Sequence, residues 1–342
     1  MSAKKEIKFK FLNVGQGDCT HIVLPNGKHM VVDINLDRKN KGINVIDYLS
    51  DTLPAKSGKK GRLAYFVNTH PHDDHICGVA DLRKDFEIDE MWHSGHELDC
   101  EKGENPNYDE LQGLIKDLGD KAKKVCACAD AFAEIDGASF HIFRPSSYVK
   151  LDKDKASEEK REAIHNECIA MKVSFGGKSV MITGDTNKGA WESITKHYDR
   201  DGLLGVDVLQ VSHHGSRTFF KKKKEEDESW EEHMEAMSPS HLVISVGADN
   251  SHGHPHADAL RLYKKHVTEA NTFRTDKHLT VVLTIDEAGK MTWSMDDAVF
   301  QSKYELPGPD KEKGSGGKGG QAKAAAASIV SRTRLGDKSP TA

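Results

Sequence analysis

The chain of 342 residues lacks several things, and each shortage removes a class of protein. It has no apolar run near the ~20 residues needed to cross a bilayer. Its apolar stretches, such as Leu279–Ile285 and Val206–Val211, are strand-sized. The four lysines of Met1–Lys10 are followed by no apolar segment, so no secretory leader is read there, and a cytoplasmic, reduced setting is expected. Six cysteines are too few for a disulfide scaffold of this length. Cys126 and Cys128 make a C-x-C rather than the redox C-x-x-C, and Cys19, Cys77 and Cys168 stand in apolar runs; all six are read as inert thiols. A net charge of −5 excludes a histone-like protein that holds nucleic acid by bulk charge. No repeat at solenoid periods is present.

What remains is a chain that can build a core, with 37% hydrophobic and 30% charged residues. From Pro307 onward, Gly, Ser, Ala and Lys dominate and large apolar residues nearly vanish, so 307–342 is read as a disordered basic tail. The tail carries seven basic and three acidic residues, which leaves residues 1–306 at a net charge of −9. Those residues are read as one domain. Ile7, Phe9 and Phe11 alternate with Lys8 and Lys10, a strand period. Thr20–Leu24 and His29–Ile34 flank Pro25-Asn26-Gly27, and Cys168–Phe175 and Ser179–Thr183 flank Gly176-Gly177, two hairpin signals. Further strands are expected at Arg62–Thr69, Glu87–Trp92, Ser139–Phe143, Val206–Ser212, His241–Val246 and Leu279–Ile285. Helical patterns fall at Ile43–Leu53, Tyr108–Leu118, Gly189–Tyr198 and Asp258–Glu269. Two charged stretches, Lys150–Glu162 and Lys221–Glu232, read as solvated insertions. Hairpins early and strand–helix units later suggest packed sheets covered by helices, an α/β architecture.

Nineteen histidines, about one residue in eighteen, ask for an explanation, because imidazole is the commonest metal ligand. The strongest pattern is Thr69-His-Pro-His-Asp-Asp-His75 at the end of a buried strand. Alternate residues leaving a strand can face one way, so His70 and His72 can share one ion. Asp74 and His75 follow as the chain turns and can face a second ion. Imidazole with carboxylate suits zinc, manganese or iron. Gly15 and Gly17, in Asn13-Val-Gly-Gln-Gly-Asp18, would let backbone approach a bound molecule, with Asp18 orienting that loop.

H-x-H-x-D-H after a buried strand resembles the metallo-β-lactamase fold superfamily of binuclear metallohydrolases. A finer resemblance is to the hydrolase domain of ComEC-like DNA-uptake proteins, and it extends over roughly residues 6–300. Five blocks carry it in order: Asn13–Asp18; the histidine motif; Asn166-Glu-Cys-Ile169 with Ile182-Thr-Gly-Asp185; Val206–Ser216 with its His213-His214-Gly; and Ser245-Val-Gly with Gly253-His-Pro255. The resemblance implies a four-layer αββα sandwich with two divalent metal ions, zinc or manganese, at the edge between two sheets. It implies ligands His70, His72, Asp74, His75 and Asp185, with Asp185 bridging, and one ligand from His213 or His214. His213 is favoured as that ligand, with His214 near the substrate. Asp33 and Asp18 would support the ligands from behind. The family position of a third histidine on the first ion falls at His165 or Asn166; the ComEC-like pattern has asparagine there, so Asn166 is taken as the match and as substrate-facing, and His165 as incidental. His254 would be a general acid or phosphate contact. The other histidines, including His93 and His96, are read as structural, a cleft-lining place for those two being the alternative.

Together these implications give a metal-dependent hydrolase with Asp74, His214 and His254 catalytic. It is expected to be a phosphodiesterase or nuclease acting on nucleic acid or a nucleotide. Hydrolysis of a lactone, thioester or β-lactam at the same site, or a metal-binding interaction module without turnover, are the competing readings.

Overall fold

The computed structural model describes residues 4–36, 42–53, 60–98, 100–125, 132–144, 163–199, 202–221, 229–296 and 298–306. Cys126 and Cys128, the stretch Lys150–Glu162, residues 222–228 and the tail 307–342 lie outside the described residues. In chain order the strands are β1 (Glu6–Phe11), β2 (Thr20–Val23), β3 (His29–Val32), β4 (Gly61–Asn68), β5 (Phe86–His93), β6 (Ala122–Lys124), β7 (Ala133–Ile135), β8 (Ala138–Phe143), β9 (Ala170–Phe175), β10 (Lys178–Ile182), β11 (Val208–Gln210), β12 (His241–Ile244), β13 (Thr272–Arg274), β14 (Val281–Asp286) and β15 (Met291–Met295). They form one sheet in the order β15-β14-β1-β2-β3-β4-β5-β6 and a second in the order β13-β12-β11-β10-β9-β8-β7.

The period-2 side-chain alternation assigns each strand residue to a layer. Met30 and Val32 enter an apolar cluster shared with the second sheet, while Val31 between them enters a cluster under helices. The shared cluster holds Phe9, Phe11, Trp92, Phe140, Val173 and Leu283. On the outer face of the first sheet, Leu63, Phe66 and Met91 pack against Tyr48, Leu49, Leu82 and Leu111 of the helices Val45–Thr52, Val79–Asp85 and Pro106–Leu118. On the outer face of the second, Leu209 and Leu242 pack against Trp191, Ile194, Met234 and Tyr263 of Lys188–Tyr198, Glu232–Met237 and Ala257–His266. Three cores between four layers give the αββα sandwich, each fully buried large side chain contributing about 1.5–3 kcal/mol. Asn44, Asn105 and Asn187 start three of these helices by accepting from first-turn N–H groups.

Both hairpins form where the turn residues place them, β2–β3 and β9–β10. The three-residue strands β6, β7 and β13 and the four-residue helices Asp73–Ile76 and Thr275–His278 were not anticipated, being shorter than one pattern repeat. The charged run at Lys221–Glu232, expected as an insertion, leads directly into the helix Glu232–Met237, whose His233, Met234 and Met237 are buried. β1 pairs with β14, so the two ends of the described chain meet in one sheet. Tyr304 and Leu306 are buried in the first outer core.

What matters for chemistry is strand direction. β3, β4, β5 and β6 run parallel, as do β10, β11, β12 and β13. The loops after β4, β10 and β11 therefore open at one edge of the sandwich, where the two sheets meet.

Candidate metal centre

The motif after β4, the loop after β11 and the turn before β9 that holds His165 bring six histidines around one buried carboxylate, Asp185, from the loop after β10. Its Oδ2 faces His70 Nε2 at 3.7 Å, His165 Nε2 at 3.8 Å and His213 Nε2 at 3.6 Å. Its Oδ1 faces His75 Nε2 at 3.3 Å and His214 Nε2 at 3.6 Å. On the Oδ2 side, His72 Nδ1 lies 3.0 Å from His70 Nε2 and 3.1 Å from His165 Nε2. The ligating atoms of His70, His72, His165 and Asp185 all fall within 4.8 Å of one another, as do those of Asp18, His75, Asp185 and His214.

Hydrogen bonds behind the rings decide which nitrogen is free. His214 Nδ1 is 2.9 Å from the Ser245 carbonyl, so it must donate, leaving the lone pair on Nε2. His75 Nδ1 is 2.7 Å from Asp33 Oδ2 and does the same. Thr69 gives its only hydroxyl proton to Asp33 Oδ2, so its oxygen accepts from His70 Nδ1 at 3.2 Å. Asp33 thus contacts His75 directly and His70 through Thr69. It also takes the N–H of Thr69 and the amide of Asn68, four donors in all, from a left-handed backbone at φ 53°.

The outcome is a set of orphans. His75 Nε2, His214 Nε2 and Asp185 Oδ1 are buried, converge, and meet no hydrogen-bond partner. Three buried polar atoms without partners facing one point are costly unless a cation lies between them. Asp74 completes this side, its carboxylate 3.3 Å from His214 Nε2 and 3.9 Å from His75 Nε2. Asp18 approaches the same two rings from their Nδ1 side, at 3.9 and 4.0 Å, and is held by Gln210 Nε2 at 2.9 Å. It sits behind the rings, where a supporting residue belongs. The donor set therefore fits two divalent cations, one among imidazoles and one nearer carboxylates.

Charge follows the same division. Burial first, then neighbouring imidazoles, pushes His70 and His165 well below the ordinary histidine range. His72 falls to about 4, burial again leading. For His75 burial pulls down, but Asp185, Asp33 and Asp74 outweigh it and raise the ring well above its ordinary value. His214 goes up to about 9, with Asp185 and Asp18 overcoming burial. Asp185 is held well below the carboxylate range: His213, His75 and His214 overcome a burial penalty of opposite sign.

Several placements differ from the sequence expectation. His214, not His213, lies with His75 on the Oδ1 side, while His213 lies on the Oδ2 side with its ring 4.5 Å from that of His165. The cause is backbone: both residues are left-handed, at φ 51° and 54°, and this tight turn splays adjacent rings to opposite oxygens. His165 is not incidental but stands with His70 and His72. Asn166 has its Oδ1 buried without a partner over Gly189, near the start of the helix Lys188–Tyr198. Gly15 and Gly17 are buried rather than open to a ligand. A Cβ on Gly17 would lie 2.5 Å from the Asn35 amide and 2.6 Å from the Asp74 carbonyl, so that glycine serves the packing of the motif itself.

His254 is in neither ligand group but beside both, its ring 5.4 Å from His213 and 6.2 Å from His214. Asn250 clamps its backbone on both sides. Gln16 Nε2 lies 3.4 Å from its Nδ1, and Gln16 Oε1 accepts from Gly247 N, so the ring receives a proton at Nδ1 and carries its own on Nε2. Burial and the neighbouring histidines lower it to about 3.

Two contacts were missed from sequence. Cys168 Sγ accepts from the Asp185 N–H and lies 3.6 Å from His70 Nδ1, so this thiol helps seat both ligands. His96, read as structural, bonds the buried Glu167 at 2.8 Å from 71 residues away. Only the proximity of Glu167 to the Asn166 block could have suggested it.

Comparison with known proteins follows the same lines. The family model described as the metallo-beta-lactamase superfamily matches residues 12–228. ComE operon protein 3 of Bacillus subtilis is 27% identical over 231 residues, 67% of this chain and 25% of that protein. Recombination protein 2 of Haemophilus influenzae is 23% identical over 262 residues, 76% of this chain and 27% of that protein. The chain thus spans about a quarter of the length of these curated relatives. Among solved structures, the metallo-beta-lactamase fold protein YhfI of Bacillus subtilis is similar at 12% identity and a TM-score of 0.44, over 85% of this chain and 100% of that one. No described helix is long and apolar enough to cross a membrane. The chain belongs to the metallo-beta-lactamase superfamily, and within it is similar to the ComEC-like proteins.

Proposed function

We propose that residues 1–306 form a binuclear metal-dependent phosphodiesterase acting on nucleic acid or a nucleotide. The observation that carries this reading is Asp185, whose two oxygens each face a separate set of imidazole lone pairs. Such a carboxylate is suited to join two cations and offset their repulsion. His70, His72 and His165 would hold one ion, Asp74, His75 and His214 the other, with Asp185 shared. Two bound divalent ions, zinc or manganese, would supply Lewis acidity, lowering a water's pKa from about 15.7 toward ~7 and drawing charge from a phosphoryl oxygen.

The chain's own residues do the rest. Asp33, Thr69 and the Ser245 carbonyl keep protons on the Nδ1 atoms of His75, His70 and His214, so the Nε2 lone pairs point inward. His254 presents its Nε2–H beside the centre, where it can hydrogen-bond to a phosphoryl or leaving oxygen and stabilise its charge. Asp74, on the open rim of the second group with a third of its side chain exposed, is placed to accept a proton from an incoming water.

The test is an activity screen with metal analysis on the same preparation. Expected are about two ions per chain and chelator-sensitive cleavage of bis-p-nitrophenyl phosphate and single-stranded DNA, restored by Zn²⁺ or Mn²⁺. Turnover of lactones, thioesters or β-lactams with no phosphodiester cleaved would overturn the substrate class. Stoichiometric metal with no turnover of any of them would leave only an interaction module.

A further inference from the structure

Residues 1–306 carry a net charge of −9, which should repel a phosphate-bearing substrate. The groove next to the metal centre has the opposite sign. Arg217 and Lys221, from the segment that follows His213-His214, and Arg261 and Lys265, from one face of the helix Ala257–His266, converge on a cavity of about 310 Å³ with Asp258 as the acid in its wall. Asp258 lies 3.4 Å from Arg217 and 3.3 Å from Lys221, and Lys265 meets Glu231 at 2.7 Å. These contacts leave positive charge over. Arg261 has no ionic partner among the described residues, and Arg217 Nε, shielded from solvent, meets no acceptor. Phe220 and the aliphatic stems of the basic side chains line the rest.

The segment that lines the groove also touches the centre. Thr218 Oγ1 contacts His213 Nδ1 at 3.0 Å, and the Arg217 N–H donates to His256, whose ring is 4.7 Å from that of His254. The segment from His213 to Lys221 thus contributes to both the centre and the groove.

We infer that this groove is an anion subsite that binds a second phosphate of an extended phosphodiester substrate, with Arg261 as its least encumbered contact. This rests on the phosphodiesterase reading of the centre, and it adds a length preference: strands with several phosphates are held, single diesters are not. Forked guanidinium groups suit such oxygens better than lysine does.

The test uses the full chain loaded with Zn²⁺ or Mn²⁺, with Arg261→Glu and the milder Arg261→Gln. Expected for Arg261→Glu is a rise of about tenfold or more in KM for a single-stranded oligonucleotide, with a salt slope shallower by roughly one phosphate contact. kcat/KM for bis-p-nitrophenyl phosphate should stay unchanged. Arg261→Gln should show the same pattern at smaller size, which guards against a folding defect. Unchanged oligonucleotide KM and salt slope, or equal losses on both substrates, would overturn the subsite. If no diester is cleaved by the parent protein, the reading of the centre fails separately. Fluorescence anisotropy of a labelled oligonucleotide then decides the groove: weaker binding by Arg261→Glu supports it, and equal binding refutes it.

Discussion

The two halves of the centre share Asp185 and differ in everything behind it. On the Oδ2 side four imidazoles, His70, His72, His165 and His213, crowd together, and burial plus mutual proximity lower all of them. On the Oδ1 side two imidazoles are surrounded by Asp18, Asp33, Asp74 and Asp185, and carboxylates keep them protonated when no cation is present. The lesson is that one half is ready to accept a cation as it stands, while the other must first release protons. Under the proposed reading, the nitrogen-rich first half would suit zinc and the second, with more oxygen, would tolerate manganese.

The comparison can be broken most directly at the shared residue. Asp185→Asn should empty both halves, with metal analysis falling toward zero and phosphodiester kcat/KM dropping on the order of 10³-fold. Retention of two ions would show that the carboxylate bridges nothing. Next in size is a contrast between neighbours. His214→Ala should lose one ion per chain and about 10²-fold in activity, whereas His213→Ala should keep both ions; the reverse result would restore the order expected from sequence.

Asp33→Asn should reach both halves from behind, since it orients His75 directly and His70 through Thr69. A loss of about 10–100-fold in metal affinity is expected by titration calorimetry, and about 1–3 kcal/mol of stability for the disrupted donors. The smallest effect is one of pH. His75 and His214 have raised values in the metal-free fold, so their contribution to stability is complete below about 6.5 and is lost as pH rises through about 9 for His214. The metal-free protein should therefore lose Tm between those values. Binding at the second half at pH 7 should release about two protons, read from calorimetry in buffers of different ionisation enthalpy. Equal proton release at both halves would erase the distinction.

Much of this was legible in the sequence, and what was not has a physical cause. The alternation of β1, the Asn26-Gly27 turn and the dense His70–His75 motif are local signals, read within a few residues. His165 was passed over because its partner His72 is 93 residues away and its neighbour Asn166 matched the family pattern better. The order of His213 and His214 was hidden because two consecutive left-handed residues rotate side chains in a way spacing does not encode. Gly17 looked like space for a ligand because a missing Cβ is the same letter whether substrate or Asn35 fills the gap. Gln210, which ties Thr20, Asp18 and Ser245 together, lies inside the Val206–Ser216 block but in none of its histidine or glycine positions.

His70, His72 and His75 ride on the first sheet, and Asp185, His213 and His214 on the second, with Gln210 reaching across to Asp18 and Thr20 beneath them. Neither sheet owns a complete ligand set. Under the proposed reading, an ion held there would act as a rivet through both layers and would favour a chain whose halves have docked. Its binding free energy is then added to the cohesion of the whole sandwich. Chelation would loosen the molecule first along the seam where it works, making loss of activity and the onset of opening the same event.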